Sequence, residues 1–183
     1  MSGFTVVSGV TRTLANVLTA VTGVDVEADR SPAENISDAA SMILLYLYRV
    51  EQSPYFVNAE GSRPSPNVLR DPPIGLNLFY LIAPFGNGQL QIQLTLGDII
   101  RTFHDMPVID PAFYHTALQD TTEELRMILN PLPMQEMTEL WRSFNERSYR
   151  LALTYEASVV LIDSGATRAV RPVEERRVAV APW

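Results

Sequence analysis

The hydrophobic period of this chain changes several times, and each change marks an element. Phe4, Val7, Leu14, Val17, Leu18 and Val21 recur largely at helical spacing, which predicts a first helix stopped by Gly23. Its β-branched residues and Gly9 lower the intrinsic propensity, so tertiary packing must hold it. Val24, Val26 and Ala28 then alternate with Asp25, Glu27 and Asp29, the pattern of a short edge strand with a charged outer face. Residues 41–50 predict a core strand that is apolar on both sides, with Met42, Leu44, Tyr46 and Tyr48 on one face and Ile43, Leu45 and Leu47 on the other. A second two-sided strand is expected over 74–83, closed by Pro84 and the turn Gly86-Asn87-Gly88. Residues 89–104 fit two periods. Leu90, Ile92, Leu94 and Leu96 alternate, while Leu96, Ile99, Ile100 and Phe103 step as a helix; we read a helix ending before Pro107.

The segment 132–163 carries the strongest pattern. After a short strand over 125–129, Pro133 suits the first turn of a helix, where its missing N–H is no loss. Met134, Met137, Leu140, Trp141 and Phe144 form one apolar stripe. From Tyr149 the period becomes two: Tyr149, Leu151, Leu153, Tyr155, Ala157, Val159 and Leu161 share a face, and Arg150, Thr154, Glu156 and Ser158 take the other. A strand over 149–162 would span roughly 45 Å, longer than most. It must bend around its own core or project toward a neighbour, which points to assembly rather than chemistry.

Two segments lack core periodicity. Residues 51–73 contain Pro54, Pro64, Pro66, Pro72 and Pro73, and so long a loop in a small domain is usually functional. In the tail, Arg168, Arg171, Arg176 and Arg177 outnumber Glu174 and Glu175, and residues 177–181 alternate, suiting a strand that pairs onto its own or a neighbour's sheet edge. We take Arg63, Arg70, Arg168, Arg171, Arg176, Arg177, Val178, Val180 and Trp183 as candidate partner contacts. The predicted fold is a single α/β (α+β) domain, with a mixed or antiparallel sheet and packed helices, over residues 1–163. Residues 164–183 form a tail that belongs to the same domain or serves as an interface arm.

Composition narrows the function. The length of 183 residues, with 46% hydrophobic and 19% charged, suits one ordinary globular domain. A net charge of −7 argues against a nucleic-acid surface, which needs basic residues to offset phosphates. All 14 basic residues are arginine, a bias whose plain reading is a GC-rich genome. The lack of lysine rules out a Walker A loop, a Schiff base and a lysine general base. The lack of cysteine rules out disulfides, thiolate nucleophiles and cysteine-ligated zinc, and fits a reducing compartment. No signal-peptide pattern opens the chain, and the apolar runs 42–48 and 79–85 are too short to span a bilayer. The sequon Asn35-Ile36-Ser37 is read as accidental.

No catalytic constellation emerges. His104 with Asp105 suggests an acid–base pair, and both histidines with Asp110 suggest a metal site, yet zinc normally takes three or four protein ligands at recognisable spacings. Helix-end or surface histidines are the better reading. Gly86-Asn87-Gly88 lacks a third glycine and a following lysine, and Ser164-Gly165 lacks the flanking glycine of a nucleophile elbow. Asp25, Glu27 and Asp29 read as a solvated edge, because a hard-cation site needs several more oxygens. Tyr46, Tyr48, Tyr80 and Trp141 sit in apolar patterns and are expected in the core. We expect no enzyme, cofactor or metal.

An ordered set of motifs resembles the cap, or tail-terminator, proteins of phage-tail-like contractile injection systems. The motifs are residues 10–14 (VTRTL), 45–50 (LYLYRV) followed by Asn58, and 73–81 (PIGLNLFYL), then Leu96-Gly97 with 103–107 (FHDMP), and 140–144 (LWRSF) leading into 149–156 (YRLALTYE). The resemblance implies a tail-terminator-like fold and a homo-oligomeric ring, a hexamer, that contacts the last layers of inner-tube and sheath protein. It implies no active site or cofactor, and the charge and short apolar runs add the expectation of no nucleic-acid partner and no membrane insertion. It also implies assembly in the cytoplasm, within a particle that stays there or is released. A C-terminal anchoring module of the kind longer relatives carry is expected to be absent. The alternatives are another adaptor or completion ring of a tail, or a small ligand-binding domain using His104, Asp105 and His115.

Overall fold

Five strands make a sheet whose two faces are covered by different helices. A computed structural model describes residues 4–34, 41–57, 60–65, 67–119, 124–144 and 148–170. Helix α1 spans Val6–Thr22 and β1 spans Asp25–Glu27; β2 follows at Met42–Gln52, β3 at Val68–Arg70 and β4 at Ile74–Phe85. Helix α2 covers Gln89–Asp105, β5 Arg126–Leu129, α3 Met134–Ser143, β6 Leu153–Ile162 and β7 Thr167–Ala169. The main sheet runs β1-β2-β4-β6-β5, with β1 parallel to β2 and the other pairs antiparallel; β3 and β7 pair separately. The sheet is therefore mixed, within a single α+β fold.

Both central strands bury side chains on both faces, as their continuous apolar runs require. On one side Ile43, Leu45, Leu78, Tyr80 and Ile82 meet Val10, Leu14, Val17 and Leu18 of α1 and Ile99 and Phe103 of α2. On the other, Leu44, Leu81, Ala83 and Phe85 meet Met137, Trp141 and Phe144 of α3. Trp141 is 1% exposed and stands edge-on to Phe144, whose ring also meets Tyr46 edge-on at 5.3 Å. Each fully buried large aliphatic side chain contributes about 1.5–3 kcal/mol, so the two faces far outweigh the weak helix propensity of α1. Gly9 stands where α1 is crossed by the 3-10 turn Thr116–Leu118; a Cβ there would lie 3.0 Å from that of Ala117. The helix tolerates this glycine for the sake of close packing. Gly23 caps α1 with φ 64°, and its N–H donates to the Thr19 carbonyl.

The structure corrects several expectations. Phe4 lies outside α1 and is 90% exposed, and Met134, at the first position of α3, is 64% exposed. Pro84 does not close β4 but sits inside it, opposite Ile43. Pairing with β6 ends at Ile82, so the missing N–H of Pro84 interrupts no ladder on that side. The long strand is shorter than its alternation suggests: β6 starts at Leu153, and Tyr149 and Leu151 lie exposed ahead of it. A bulge also breaks its phase. Leu78 pairs with Ala157 but Leu76 with Val160, so β6 carries one extra residue there. Val160 thus joins the α1 face together with Tyr155 and Ala157, out of step with strict alternation. The sequon at Asn35 lies outside the described residues.

Candidate functional site: a ribbon beyond the sheet

The central pair β4–β6 does not stop where the layers stop. Pro72 and Pro73 interrupt β4, since neither can donate a ladder bond. Beyond them the antiparallel pairing resumes as Arg70 opposite Thr167, Leu69 opposite Arg168 and Val68 opposite Ala169. The Asp71 N–H donates to the Ala166 carbonyl (3.2 Å) and the Val170 N–H to the Asn67 carbonyl (2.9 Å), which closes the ribbon at both ends. The outer side of β3 is taken by the chain itself: Arg70 N–H donates to Ser62 (2.8 Å) and Val68 N–H to Ser65 (3.1 Å). The two segments without core periodicity are therefore hydrogen-bonded to each other. Their contact was not legible in either stretch alone, because neither three-residue strand has room for an alternating pattern.

Of the predicted contact residues, Arg70 and Arg168 lie on the two ribbon strands, and Arg63 lies exposed on the segment lining β3. Arg168 meets Asp71 at 3.7 Å, both largely solvated, so the pair is worth little to stability. Arg171, Arg176, Arg177, Val178, Val180 and Trp183 lie outside the described residues.

The base of the ribbon is a packed junction. The Ser53 N–H donates to the Gly75 carbonyl (2.8 Å), and the 3-10 turn Pro54–Phe56 follows. The Phe56 ring lies over Gly75 so closely that a Cβ there would stand 2.8 Å from it. Around this junction Tyr55 is 87%, Val57 60% and Ile74 51% exposed. These apolar residues were missed as contacts. The aromatic pair after Pro54 in an otherwise polar loop was the available signal.

The histidines do not make a common site. His104 is exposed near the end of α2, beside an apolar groove of about 460 Å³ between α2 and β5, lined by Ile100, Phe103, Pro107, Ile128 and Leu129 among others. His115 instead accepts the Ala117 N–H through Nδ1 (3.3 Å), capping the 3-10 turn, while its own N–H donates to Thr13 Oγ1. Among the described residues no three His, Asp or Glu side chains are grouped to hold a metal ion. No helix among them is long and apolar enough to cross a membrane. The shifted titratable groups serve packing. Burial raises the Tyr80 phenol above its usual value, against the smaller opposing effect of its 2.9 Å hydrogen bond with Thr11 Oγ1. Burial likewise raises Tyr155.

The profile described as the Pvc16 N-terminal domain matches residues 5–176. Among solved structures, the PVC sheath/tube terminator of an extracellular contractile injection system, in its extended state, superposes with a TM-score of 0.69 at 16% identity. That match covers 97% of this chain and 64% of the terminator. The tube-terminating cap of the anti-feeding prophage superposes with a TM-score of 0.64 at 16% identity, over 93% of this chain and 60% of the cap. The chain thus spans under two thirds of either structure. No curated protein matches it in sequence.

Proposed function

We propose that this chain, which belongs to the family of Pvc16 N-terminal domains, is a structural terminator of a contractile injection system. The observation that carries the reading is the superposition of 97% of the chain on a sheath/tube terminator. Tube and sheath grow by heterologous contacts that do not close along the axis, so growth continues until something occupies the end face. A terminator needs a rigid platform and an exposed contact element that fits the last layer. The double-sided sheet suits the first role. The ribbon, with its apolar junction at Tyr55, Val57 and Ile74, suits the second.

In this reading residues 1–163 are the cap domain and 164–183 an interface arm. The chain assembles as a ring, a hexamer by the family resemblance, on the inner-tube and sheath proteins of one particle. Assembly takes place in the cytoplasm, and the role is not enzymatic. Electron microscopy of particles from a strain lacking the gene tests this. Tubes and sheaths of scattered length, or sheaths detached at one end, are expected; intact particles of uniform length would overturn the reading.

A further inference from the structure

We propose that neighbouring copies of this chain join head to tail by strand addition, the outer edge of β7 in one copy pairing with the outer edge of β1 in the next. The proposal rests on the ring reading above and names the contact that builds the ring.

Open strand edges invite pairing, and proteins cover, charge or use them. Here the chain covers two of its edges. Along β5, Met127 N–H donates to the Pro107 carbonyl (2.8 Å), Ile109 N–H donates to Leu125 (2.9 Å), and Val108 bridges Arg126. Along β3, Ser62 and Ser65 do the same. Among the described residues no strand pairs with the outer edge of β1 or of β7. On β7 the bonding pattern decides which groups point outward. Ala166 and Val170 bond inward to β3, and inward and outward bonding alternate along an antiparallel strand. The N–H and C=O of Thr167 and Ala169 therefore face the open side. Thr167, Arg168 and Ala169 are all exposed.

The two edges carry opposite charge. On β1 stand Asp25 and Glu27, with Asp29 just beyond; Arg30 offsets part of this through its 3.4 Å pair with Glu27. On β7 stands Arg168, with Arg63 exposed on the segment lining β3; Asp71 offsets part of that. Pairing β7 with β7, or β1 with β1, sets like charges across a strand pair, which is unfavourable. Pairing β7 with β1 sets opposite charges there. The favoured contact is therefore heterologous, and heterologous contacts generate rings when the rotation closes.

The lack of cysteine gives a clean test. Cells produce the tube and sheath proteins together with Asp25→Cys, Ala166→Cys (the exposed neighbour on the face of Arg168) or the double variant, and both the purified particles and the particle-free lysate are treated with a short bis-maleimide. The double variant should yield a ladder of covalent oligomers ending at one closed size, and each single variant should stay monomeric on a denaturing gel. Copies present in particles but unlinked would overturn the strand-addition contact and leave the terminator reading standing. Linked oligomers with no copies in particles would overturn the terminator reading instead. Dimers from Ala166→Cys alone would overturn the head-to-tail arrangement. As a second variant, Arg168→Glu should cut ladder yield several-fold, and Asp25→Arg on a separate copy mixed with it should restore a linked pair through introduced cysteines at Ala166 and Glu27. Failure of that rescue would contradict the charge argument.

Discussion

The stretch of β4–β6 inside the layers and the ribbon β3–β7 are parts of one antiparallel run, yet they live in opposite surroundings. Within the layers Leu78, Tyr80, Ile82, Tyr155 and Ala157 are buried under α1 and α2, and Leu81 and Ala83 under α3. Beyond Pro72 and Pro73 the same backbone pairing carries exposed Thr167, Arg168 and Ala169. A two-stranded ribbon alone in water is marginal, because hydrogen bonds to the partner strand replace hydrogen bonds to water with small net gain. Stability is thus concentrated in the layers, and the ribbon adds little to it.

Mutations sharpen that contrast, starting with the largest expected effect. Trp141→Ala should destabilise the fold by about 3–5 kcal/mol, since it empties the contact between α3 and the sheet; a near-wild-type melting temperature would place Trp141 outside the core. Gly75→Val forces a side chain into the Phe56 ring and should cost about 1–3 kcal/mol, with faster protease cleavage around residues 53–57. Unchanged cleavage would show that the junction yields freely. Tyr80→Phe should cost about 1 kcal/mol, the net worth of its hydrogen bond to Thr11.

Tyr80 also predicts a pH dependence. Its folded-state value is raised above the unfolded 10.0, so its contribution is fully present below pH 10.0 and is lost as pH rises through the folded value. Denaturation midpoints should therefore fall above pH 10, and Tyr80→Phe should flatten that fall; an equal slope in both proteins would remove Tyr80 as its source. The smallest effect on stability, within about 0.5 kcal/mol, is expected for Arg168→Ala, an exposed residue in a solvated ion pair.

The layers were legible because their residues obey a period. Alternation over 42–48 and 74–83 marked both two-sided strands, and helical spacing through Leu96, Ile99 and Phe103 settled an ambiguous segment in favour of α2. Alternation over-reached at Tyr149 and Leu151, where apolar side chains continue the pattern with no partner strand among the described residues. It also missed the bulge near Ala157, because an added residue shifts phase without changing composition. The ribbon was half legible. Prolines and arginines flagged both segments as non-core, but their pairing is a long-range contact between Val68 and Ala169 that no local pattern encodes.

The division between platform and ribbon is tested most directly by particle length in a strain whose only copy carries Arg63→Glu with Arg168→Glu. The account predicts a folded protein whose stability lies within about 1 kcal/mol of wild type, the sum of two surface substitutions, and particles of scattered length or with detached sheaths. Uniform particles that contain the variant at normal levels would contradict it, and would move the contact surface off the ribbon.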